Sequence, residues 1–286
     1  MQSRKFVPAK ATDKSARPVL HDDDSDEDVP ADLASDLDRK FVTSLARGLD
    51  LLRAYQRAAG PLGNAELAAL TGIPKPTVSR LTFTLTQLGN LKLDRNSGRY
   101  ELSPAVLGLG YPVLANLKIR HLAYDAMQQI AAEGGLSVAM AAISRHNLIY
   151  VHTCAPSHVP TRRLDVGSRV SLVHTAIGRA YLAGVSEDER AMHFRYFKER
   201  LPDQWPDLRD RVDRAIDEVK TRGFCLFDRE WNQDVRAVAA PIISRDGSIV
   251  LSANCASPAF QTSVERMVED IGPRLAHMTQ ELARVA

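Results

Sequence analysis

Polar and basic side chains suited to binding DNA are concentrated between residues 75 and 84. The residues there that carry an amine, a guanidinium or a hydroxyl group are Lys75, Thr77, Ser79, Arg80, Thr82 and Thr84, and the stretch contains no carboxylate. Such donors bind phosphate oxygens, and an arginine also fits the O6 and N7 atoms of guanine. The residue types therefore predict a DNA-contacting surface in which Arg80 reaches either a base or a phosphate group. For Thr77 and Ser79 the alternative is that they are solvated helix residues.

Two short helices must position these groups. The apolar residues of the second helix recur at spacings of three and four, which predicts one buried face made of Val78, Leu81, Leu85 and Leu88. Residues 64–70 predict a shorter helix capped by Asn64, and Gly72 and Pro74 mark a tight turn between the two. Pro76 falls in the first turn of the second helix, where its missing N–H costs nothing. The pattern indicates a helix-turn-helix.

The flanking segments predict a complete winged helix-turn-helix over residues 41–103. Ser44 is the expected N-cap of a first helix that reaches about Ala58, with a buried stripe of Leu45, Leu49, Leu52 and Tyr55. Residues 90–94 and 99–102 alternate around an Asn-Ser-Gly turn, which is typical of a β-hairpin. Such a hairpin is the wing, and we expect Arg95 and Arg99 to contact phosphates from it.

Length and charge distribution set the outer limits of the interpretation. A chain of 286 residues has room for two domains, and 44% hydrophobic with 25% charged residues is ordinary for a globular protein. The net charge of +2 hides an acidic run between His21 and Asp38 that contains no Lys or Arg. We expect residues 1–40 to be a disordered acidic tail. Competition of this tail with DNA for the basic helix is the alternative to a merely solvated tail.

The region after the wing predicts a linker and then a second domain. Residues 104–118 predict a linker helix that Pro112 breaks or kinks, with more apolar surface than a solitary helix needs, so we expect it to pack against a partner chain. A helix at 120–133 follows. From Leu136 the period changes to two, and strands are expected at 136–143, 148–154, 162–166, 224–228, 235–243 and 248–256. Helices are expected at 174–183, 187–200, 207–222 and 261–284. Strands grouped around a helical middle predict an antiparallel-rich α+β domain.

Cysteine usage and hydropathy favour a cytoplasmic protein. Cys154, Cys225 and Cys255 form no CxxC pair, so a reducing compartment is the simpler interpretation. No apolar run reaches the roughly 18 residues that span a bilayer, and the first residues lack the apolar core of a secretory signal.

Several segments together resemble the IclR-type bacterial transcriptional regulators, from about Phe41 to the C-terminus. The segments that carry the resemblance are 44–52, 71–81, 166–183, 222–224, 228–230 and 238–242 with Gly247. Family members usually have Pro where this chain has Ser171. The resemblance implies a winged helix-turn-helix joined by a linker helix to a GAF-like domain at 119–286. It also implies dimers or dimers of dimers, and effector-controlled binding to a palindromic operator.

The start of the helix expected near residue 174 is the candidate effector site. The first N–H groups of a helix are unsatisfied and attract a carboxylate, and the small Ala176 and Gly178 would let one approach. The resemblance places the pocket between this helix start and the strands that follow, and the candidate residues are His174, Ala176, Ile177, Phe227, Asp228, Ala237, Asn254 and Arg163. Arg162, Arg163 and Arg169 either pair with an acid or lie exposed. We expect a small organic or aromatic acid as the effector.

The sequence gives less support to an enzymatic function. His152, Cys154 and His158 have a passable metal spacing, but a structural zinc site usually needs four ligands, so no metal is expected. The chain contains no nucleophile elbow, zinc-protease motif or phosphate loop, and we expect neither catalysis nor a cofactor. The alternative is a GAF-like redox enzyme, or a thiol-based redox-sensing regulator, that uses Cys225 or Cys255. A third reading is a C-terminal domain that only oligomerises.

Overall fold

The computed structural model describes residues 40–58, 60–155, 165–230, 233–247 and 250–285. The predicted tail lies outside these ranges except for Lys40, and so do His158, Arg162 and Arg163. In the described ranges no helix combines the length and the apolar character that a bilayer crossing requires.

The N-terminal part is a winged helix-turn-helix. Its elements are α1 Thr43–Ala54 with a 3-10 turn Tyr55–Arg57, α2 Asn64–Thr71, α3 Lys75–Gln87, β1 Leu91–Asp94 and β2 Arg99–Leu102. The two strands pair antiparallel, and Tyr100 also bridges to Leu62. Gly72 ends α2 in the left-handed conformation, at a φ of 68° that glycine adopts without strain. The predicted three helices and hairpin are confirmed.

The buried face of α1 differs from the predicted stripe. Leu51 is fully buried, whereas Leu45 and Leu49 are 62% and 43% exposed. The helix begins at Thr43 after Val42, so Ser44 is a helical residue and not the cap. Gly48 is buried, and a Cβ placed on it would lie 4.0 Å from Leu81 Cδ2 of α3, which is an ordinary contact distance. Leucines occur on several faces of α1, and the spacing of apolar residues does not tell which face meets the neighbouring helices.

Asn64 has a different role from the predicted one. It is the first residue of α2, and the carboxylate of Glu66 accepts the Gly63 N–H at 2.8 Å to close the helix start. The Asn64 side chain instead turns toward α3, where its Oδ1 accepts the Thr82 hydroxyl at 3.1 Å. A polar contact between the two helices has therefore replaced the predicted cap.

Two further helices connect the winged helix to the second domain. They are α4 Ala105–Asn116 and α5 Lys118–Gly134. Pro112 lies inside α4 without interrupting it, so of the predicted break or kink the break is excluded. The long apolar side chains of α4 are mostly uncovered, with exposed fractions of 77% for Leu107, 66% for Leu109, 68% for Tyr111 and 60% for Val113. The described residues leave these side chains uncovered, and packing of this helix against a partner chain stays a prediction.

The second domain is built on one sheet. Its elements are β3 Ser137–Ser144, β4 Asn147–Cys154, β5 Arg169–Ser171, α6 Ala176–Gly184, α7 Glu187–Arg200, α8 Trp205–Arg222, β6 Cys225–Asp228, β7 Val235–Ile243, β8 Val250–Pro258, α9 Val264–Arg266 and α10 Gly272–Val285, with a π-helical turn Met267–Ile271 between the last two. The strand order is β5-β4-β3-β8-β7-β6, and every neighbouring pair is antiparallel. Strand β5 is not among the predicted strands. Of the strand predicted at 162–166, residues 162–164 lie outside the described residues, and 165 and 166 are not part of a strand. The predicted α+β class is confirmed.

Helices cover both faces of this sheet. Met140 and Ala253 share one apolar cluster with α5 and α10, whereas Tyr150 and Phe227 share another with α6 and α8. Side chains alternate between the faces along each strand. This alternation decides which residues of β8 can meet α6, the helix whose start is the candidate effector site.

Candidate DNA-binding and effector sites

The exposed face of α3 carries most of the predicted DNA contacts. Lys75, Ser79 and Arg80 are exposed, and Thr77 is partly exposed, all within the first two turns of the helix. The opposite side is held by the buried Val78 and Leu85 and the partly buried Leu81, as predicted, but Leu88 is 67% exposed. In helix-turn-helix proteins the N-terminal residues of this helix face the base edges. The arrangement fits the major groove of DNA.

Thr82 cannot belong to this surface. Its side chain is fully buried, and its hydroxyl donates to Asn64 Oδ1 at 3.1 Å and to the Val78 carbonyl at 3.0 Å. The helical period turns the Thr82 side chain toward α2 and away from the exposed face of α3. The predicted DNA contact is wrong, because a buried hydroxyl with protein partners is out of reach of phosphate.

The wing offers one free arginine rather than two. Arg95 is exposed in the turn between the strands, where the Asp94 carboxylate accepts the Asn96 N–H at 3.0 Å. The Arg99 side chain is 42% exposed, but its guanidinium is paired within the domain, with Nη2 at 2.6 Å from both Glu66 oxygens and Nε donating to the Pro61 carbonyl at 3.0 Å. The Gly63 N–H, and then Arg99, hold the pKa of Glu66 below its usual range. Arg99 is therefore a structural residue of the wing.

The face of the sheet beneath α6 has a floor of small residues. Ala139, Ala141, Ala237 and Ala239 belong to the cluster that includes α6 and α8. Asn254 pairs with Ala139 on one side and with Ala239 on the other, and Ser252 pairs with Ala141. Their neighbour Cys255 belongs to the opposite cluster, so Asn254 and Ser252 both face α6. Small apolar side chains therefore surround two polar groups on this face.

Two atoms on this floor lack hydrogen-bond partners. Asn254 is 7% exposed and Ser252 is fully buried, and within the described part of the chain neither Asn254 Oδ1 nor Ser252 Oγ has a partner. Burial raises the pKa of Tyr150 to about 12, and a hydrogen bond with Asn254 acts in the opposite direction. Buried polar atoms are almost always paired. Unpaired ones indicate a place where another molecule supplies the partner. Sequence analysis missed Ser252, although it lies two residues from Asn254 on the same face.

The start of α6 lies against the same face. Ala176 and Ile177 are buried in one cluster with Phe227 and Ala237. The Thr175 hydroxyl caps the helix by accepting the Gly178 N–H at 3.2 Å. A side chain at Gly178 would meet the backbone of Leu172 at 2.4 Å, so this glycine makes room for protein and not for ligand, contrary to expectation.

Ser171 organises the loop that precedes α6. Its hydroxyl accepts the N–H groups of Val173 and His174 at 3.3 Å each, and its carbonyl accepts the Thr175 hydroxyl at 2.6 Å. Where the family pattern has proline, this chain therefore fixes the turn with hydrogen bonds. The predicted site residue His174 is partly buried in this loop.

The structure excludes Asp228 from the candidate site. Phe227 faces α6, so the next residue points to the other side of the sheet, where the Asp228 carboxylate accepts from Arg236 Nε at 2.7 Å. Arg169 likewise alternates with Val170, which faces α6. Ala176, Ile177, Phe227, Ala237 and Asn254 are thus brought together, whereas Arg163 lies outside the described residues.

An arginine network beside the site has no counterpart in the sequence analysis. Arg179 is 3% exposed, donates to the Val173 carbonyl at 2.9 Å and pairs with Glu230 at 2.7 Å. Arg211 of α8 also contacts Glu230, at 3.2 Å. The network ties the start of α6 to the segment after β6. The partners are 51 residues apart, and no local pattern signals such a pairing.

The cysteines give little support to thiol chemistry. Cys225 and Cys255 are buried, and burial raises the pKa of Cys225 to about 12 and that of Cys255 further. The thiolate is the reactive form, so these groups are poor nucleophiles. Cys154 Sγ lies 3.6 Å from His152 Nε2, while His158 lies outside the described residues. The described residues contain no group of three or more His, Cys, Asp or Glu side chains suited to a metal.

A winged helix-turn-helix with an acid-free recognition helix, followed by a sheet domain with a polar floor under α6, defines a two-domain DNA-binding protein. The chain belongs to the IclR family of transcriptional regulators, whose C-terminal domain binds ligands. Residues 44–95 match the IclR helix-turn-helix domain, and residues 111–284 match the bacterial transcriptional regulator IclR C-terminal domain.

Known proteins are similar along most of the chain. The HTH-type transcriptional regulator TsaQ1/TsaQ2 of Comamonas testosteroni is 32% identical over 244 residues, which are 85% of this chain and 87% of that protein. The crystal structure of an IclR family transcriptional regulator from Brucella abortus is 42% identical, with a TM-score of 0.76 over 87% of this chain and 94% of that one. An IclR homologue from Microbacterium hydrocarbonoxydans, solved with 4-hydroxybenzoate, is 16% identical, with a TM-score of 0.68 over 85% of this chain and 100% of that one, a likeness of fold.

Proposed function

We propose that this chain binds an operator through α3 and the wing, and that a small organic acid bound beneath α6 controls its affinity. The proposal that the chain binds DNA rests on the exposed, acid-free surface at the start of α3, which contains Lys75, Thr77, Ser79 and Arg80. Arg95 adds a cation from the wing. Thr82 and Arg99 are left out of the interface because protein groups occupy their hydrogen bonds.

The test of the DNA part compares Arg80→Ala with Arg284→Ala. The probe is a duplex that the full-length protein selects from a random-sequence pool. Loss of a base contact at Arg80 should weaken binding by about 5- to 150-fold and relax the choice of one base pair. Loss of a phosphate contact should instead reduce the slope of log K against log salt by about 1. Arg284 is an exposed arginine of α10, and its removal is the matched control.

Equal affinity of wild type and Arg80→Ala at one salt concentration would contradict the assigned face of α3. Selection of no sequence at all would contradict DNA recognition itself.

The effector is proposed to be an aromatic or other small organic acid. Support comes from the alanine-lined face, the unpaired Asn254 Oδ1 and Ser252 Oγ, and the adjoining start of α6. Asn254 Oδ1 accepts hydrogen bonds and calls for a ligand group that donates O–H or N–H, whereas the Ser252 hydroxyl can donate or accept. A helix start favours a carboxylate. The 4-hydroxybenzoate bound by the Microbacterium homologue has both groups and is the first compound to test.

Thermal melting and operator affinity of the full-length protein would then be measured with 4-hydroxybenzoate, benzoate and the uncharged methyl ester of 4-hydroxybenzoate. The acid with the hydroxyl group should raise the melting temperature most, because a ligand that binds only the folded state stabilises it. If no acid changes melting or operator affinity, the C-terminal domain serves only assembly.

Assembly and location complete the proposal. We propose a homodimer or dimer of dimers, acting in the cytoplasm where bacterial DNA lies, with domains at 41–103 and 119–286 and a linker helix at 104–118. The uncovered apolar side chains of α1 and α4 support assembly, since a large uncovered apolar surface marks a protein interface. Two recognition helices about 34 Å apart meet successive half-sites, so an effector that changes their spacing changes affinity.

A further inference from the structure

Phe83 is an aromatic residue that α3 leaves uncovered. Its exposed fraction is 64%, although the helix buries Val78 and Leu85 on its other side. At 100° per residue, Phe83 lies on the same face as Ser79 and Gln87, four residues before and after it. The ring therefore extends, by about one helical turn, the surface at the start of α3 that the proposed function assigns to DNA.

The surroundings of Phe83 suit nucleic acid better than an apolar protein partner. Lys75 and Arg80 are exposed on the same helix, and α3 contains no acidic residue. Among the described residues, Phe83 takes part in none of the aromatic or cation–π contacts. A phenyl ring framed by cations and hydroxyls matches a partner that is mainly anionic and carries a small apolar group.

We propose that Phe83 contacts the 5-methyl group of a thymine in the major groove of each operator half-site. This inference rests on the proposed function and adds a specificity-determining residue to it. The thymine methyl is the apolar group that an A·T pair presents in the major groove, and side chains such as phenylalanine read it by contact. Phe83 follows Ser79 by four residues, or about 6 Å along the helix. The thymine should therefore lie about two base pairs beyond the bases that Ser79 faces.

The experiment replaces single thymines with deoxyuridine, which removes only the methyl group. The probe is the duplex that the full-length wild type selects from a random-sequence pool. Each half-site should contain one thymine whose replacement weakens wild-type binding about fourfold. This factor corresponds to the loss of one buried methyl group from the interface. Phe83→Ala should bind the thymine and uracil duplexes equally. Leu88→Ala is the matched control, because Leu88 is similarly exposed, at 67%, on another side of α3, and this variant should keep the fourfold difference.

The inference is overturned if Phe83→Ala discriminates thymine from uracil as the wild type does, or if no single thymine matters to the wild type. A change of oligomeric state in Phe83→Ala, with discrimination intact, would assign the ring to a protein interface and also overturn it. If the pool yields a selected sequence in either case, the proposed function stands while the inference fails. If the pool yields none, both fail. Circular dichroism of each variant checks that α3 is folded.

Discussion

Nη2 of Arg99 lies 2.6 Å from both carboxylate oxygens of Glu66, which fastens the second strand of the wing to the start of α2. The same carboxylate accepts the Gly63 N–H at 2.8 Å. One acidic side chain thus closes a helix and fixes the wing.

Glu66→Gln should destabilise the winged helix at neutral pH. The Gly63 N–H, and then Arg99, hold the folded-state pKa of Glu66 below its usual value of 4.5. The stabilisation is therefore present above 4.5 and is lost as pH falls through the lower folded-state value. Urea unfolding of wild type and Glu66→Gln between pH 7 and 3 should show a difference that shrinks over this acidic window. A difference independent of pH would refute the assigned role.

Gly178→Ala should destabilise the C-terminal domain by about 1–3 kcal/mol or more, because the new Cβ cannot fit without moving backbone. It would lie 2.4 Å from Leu172 Cα and from the carbonyl oxygens of Leu172 and Ser171. Gly60→Ala is the control, since among the described residues, its chain neighbours aside, no atom lies within 4 Å of its Cβ position. Chemical denaturation of both variants gives the comparison, and equal stabilities would show that the contact at Gly178 is misjudged.

Ser252→Ala should stabilise the ligand-free protein by about 1 kcal/mol, because it removes a buried hydroxyl without a partner. The same change should reduce the melting shift produced by the acid effector. Ser257→Ala is the matched control, since its buried hydroxyl lies 2.8 Å from the Thr262 hydroxyl and its removal should destabilise. An unchanged melting shift in Ser252→Ala would take Ser252 out of the effector site.

His193 should make stability depend on pH between about 4 and 6.5. Burial, and then the neighbouring His146, lowers the pKa of His193 from 6.5 to about 4. The Nδ1 atoms of the two histidines are 3.1 Å apart. The unfolded chain binds the proton more readily in this range, so stability is full above 6.5 and falls by at most about 3 kcal/mol as pH drops toward 4.

The measurement for His193 compares the unfolding free energies of wild type and His193→Phe from pH 7 to 5, above the range where most carboxylates titrate. The variant should lose most of the dependence of the unfolding free energy on pH. It should retain a smaller part, because burial also lowers the pKa of His152. Identical slopes in both proteins would contradict a neutral buried His193.

Tyr111→Glu should weaken self-association of the full-length protein. Tyr111 is 68% exposed on α4, and a charge placed in an apolar interface is costly. Phe260→Glu is the control, because Phe260 is 79% exposed in the loop before α9 and belongs to neither α1 nor α4. Sedimentation velocity over a concentration series separates the two variants. Association lost equally in both, or in neither, would remove α4 from the interface.

Local patterns in the sequence determined the elements of this protein. The spacing of apolar residues predicted α3, the Asn-Ser-Gly turn predicted the wing, and alternation predicted β7 at its observed bounds of Val235–Ile243. These signals succeed because the periods of helix and strand are properties of neighbouring residues. The absence of acids from α3 is likewise written in the sequence alone.

Tertiary structure decided which polar side chains remain available to bind DNA or an effector. Thr82 and Arg99 have the right chemistry for phosphate, but Asn64 and Glu66, 18 and 33 residues away, occupy their hydrogen bonds. Asn254 was predicted to face the effector site, yet only the packed sheet shows that its Oδ1 lacks a partner within the described residues. Whether a polar group is satisfied depends on residues distant along the chain, which meet only when the core has packed.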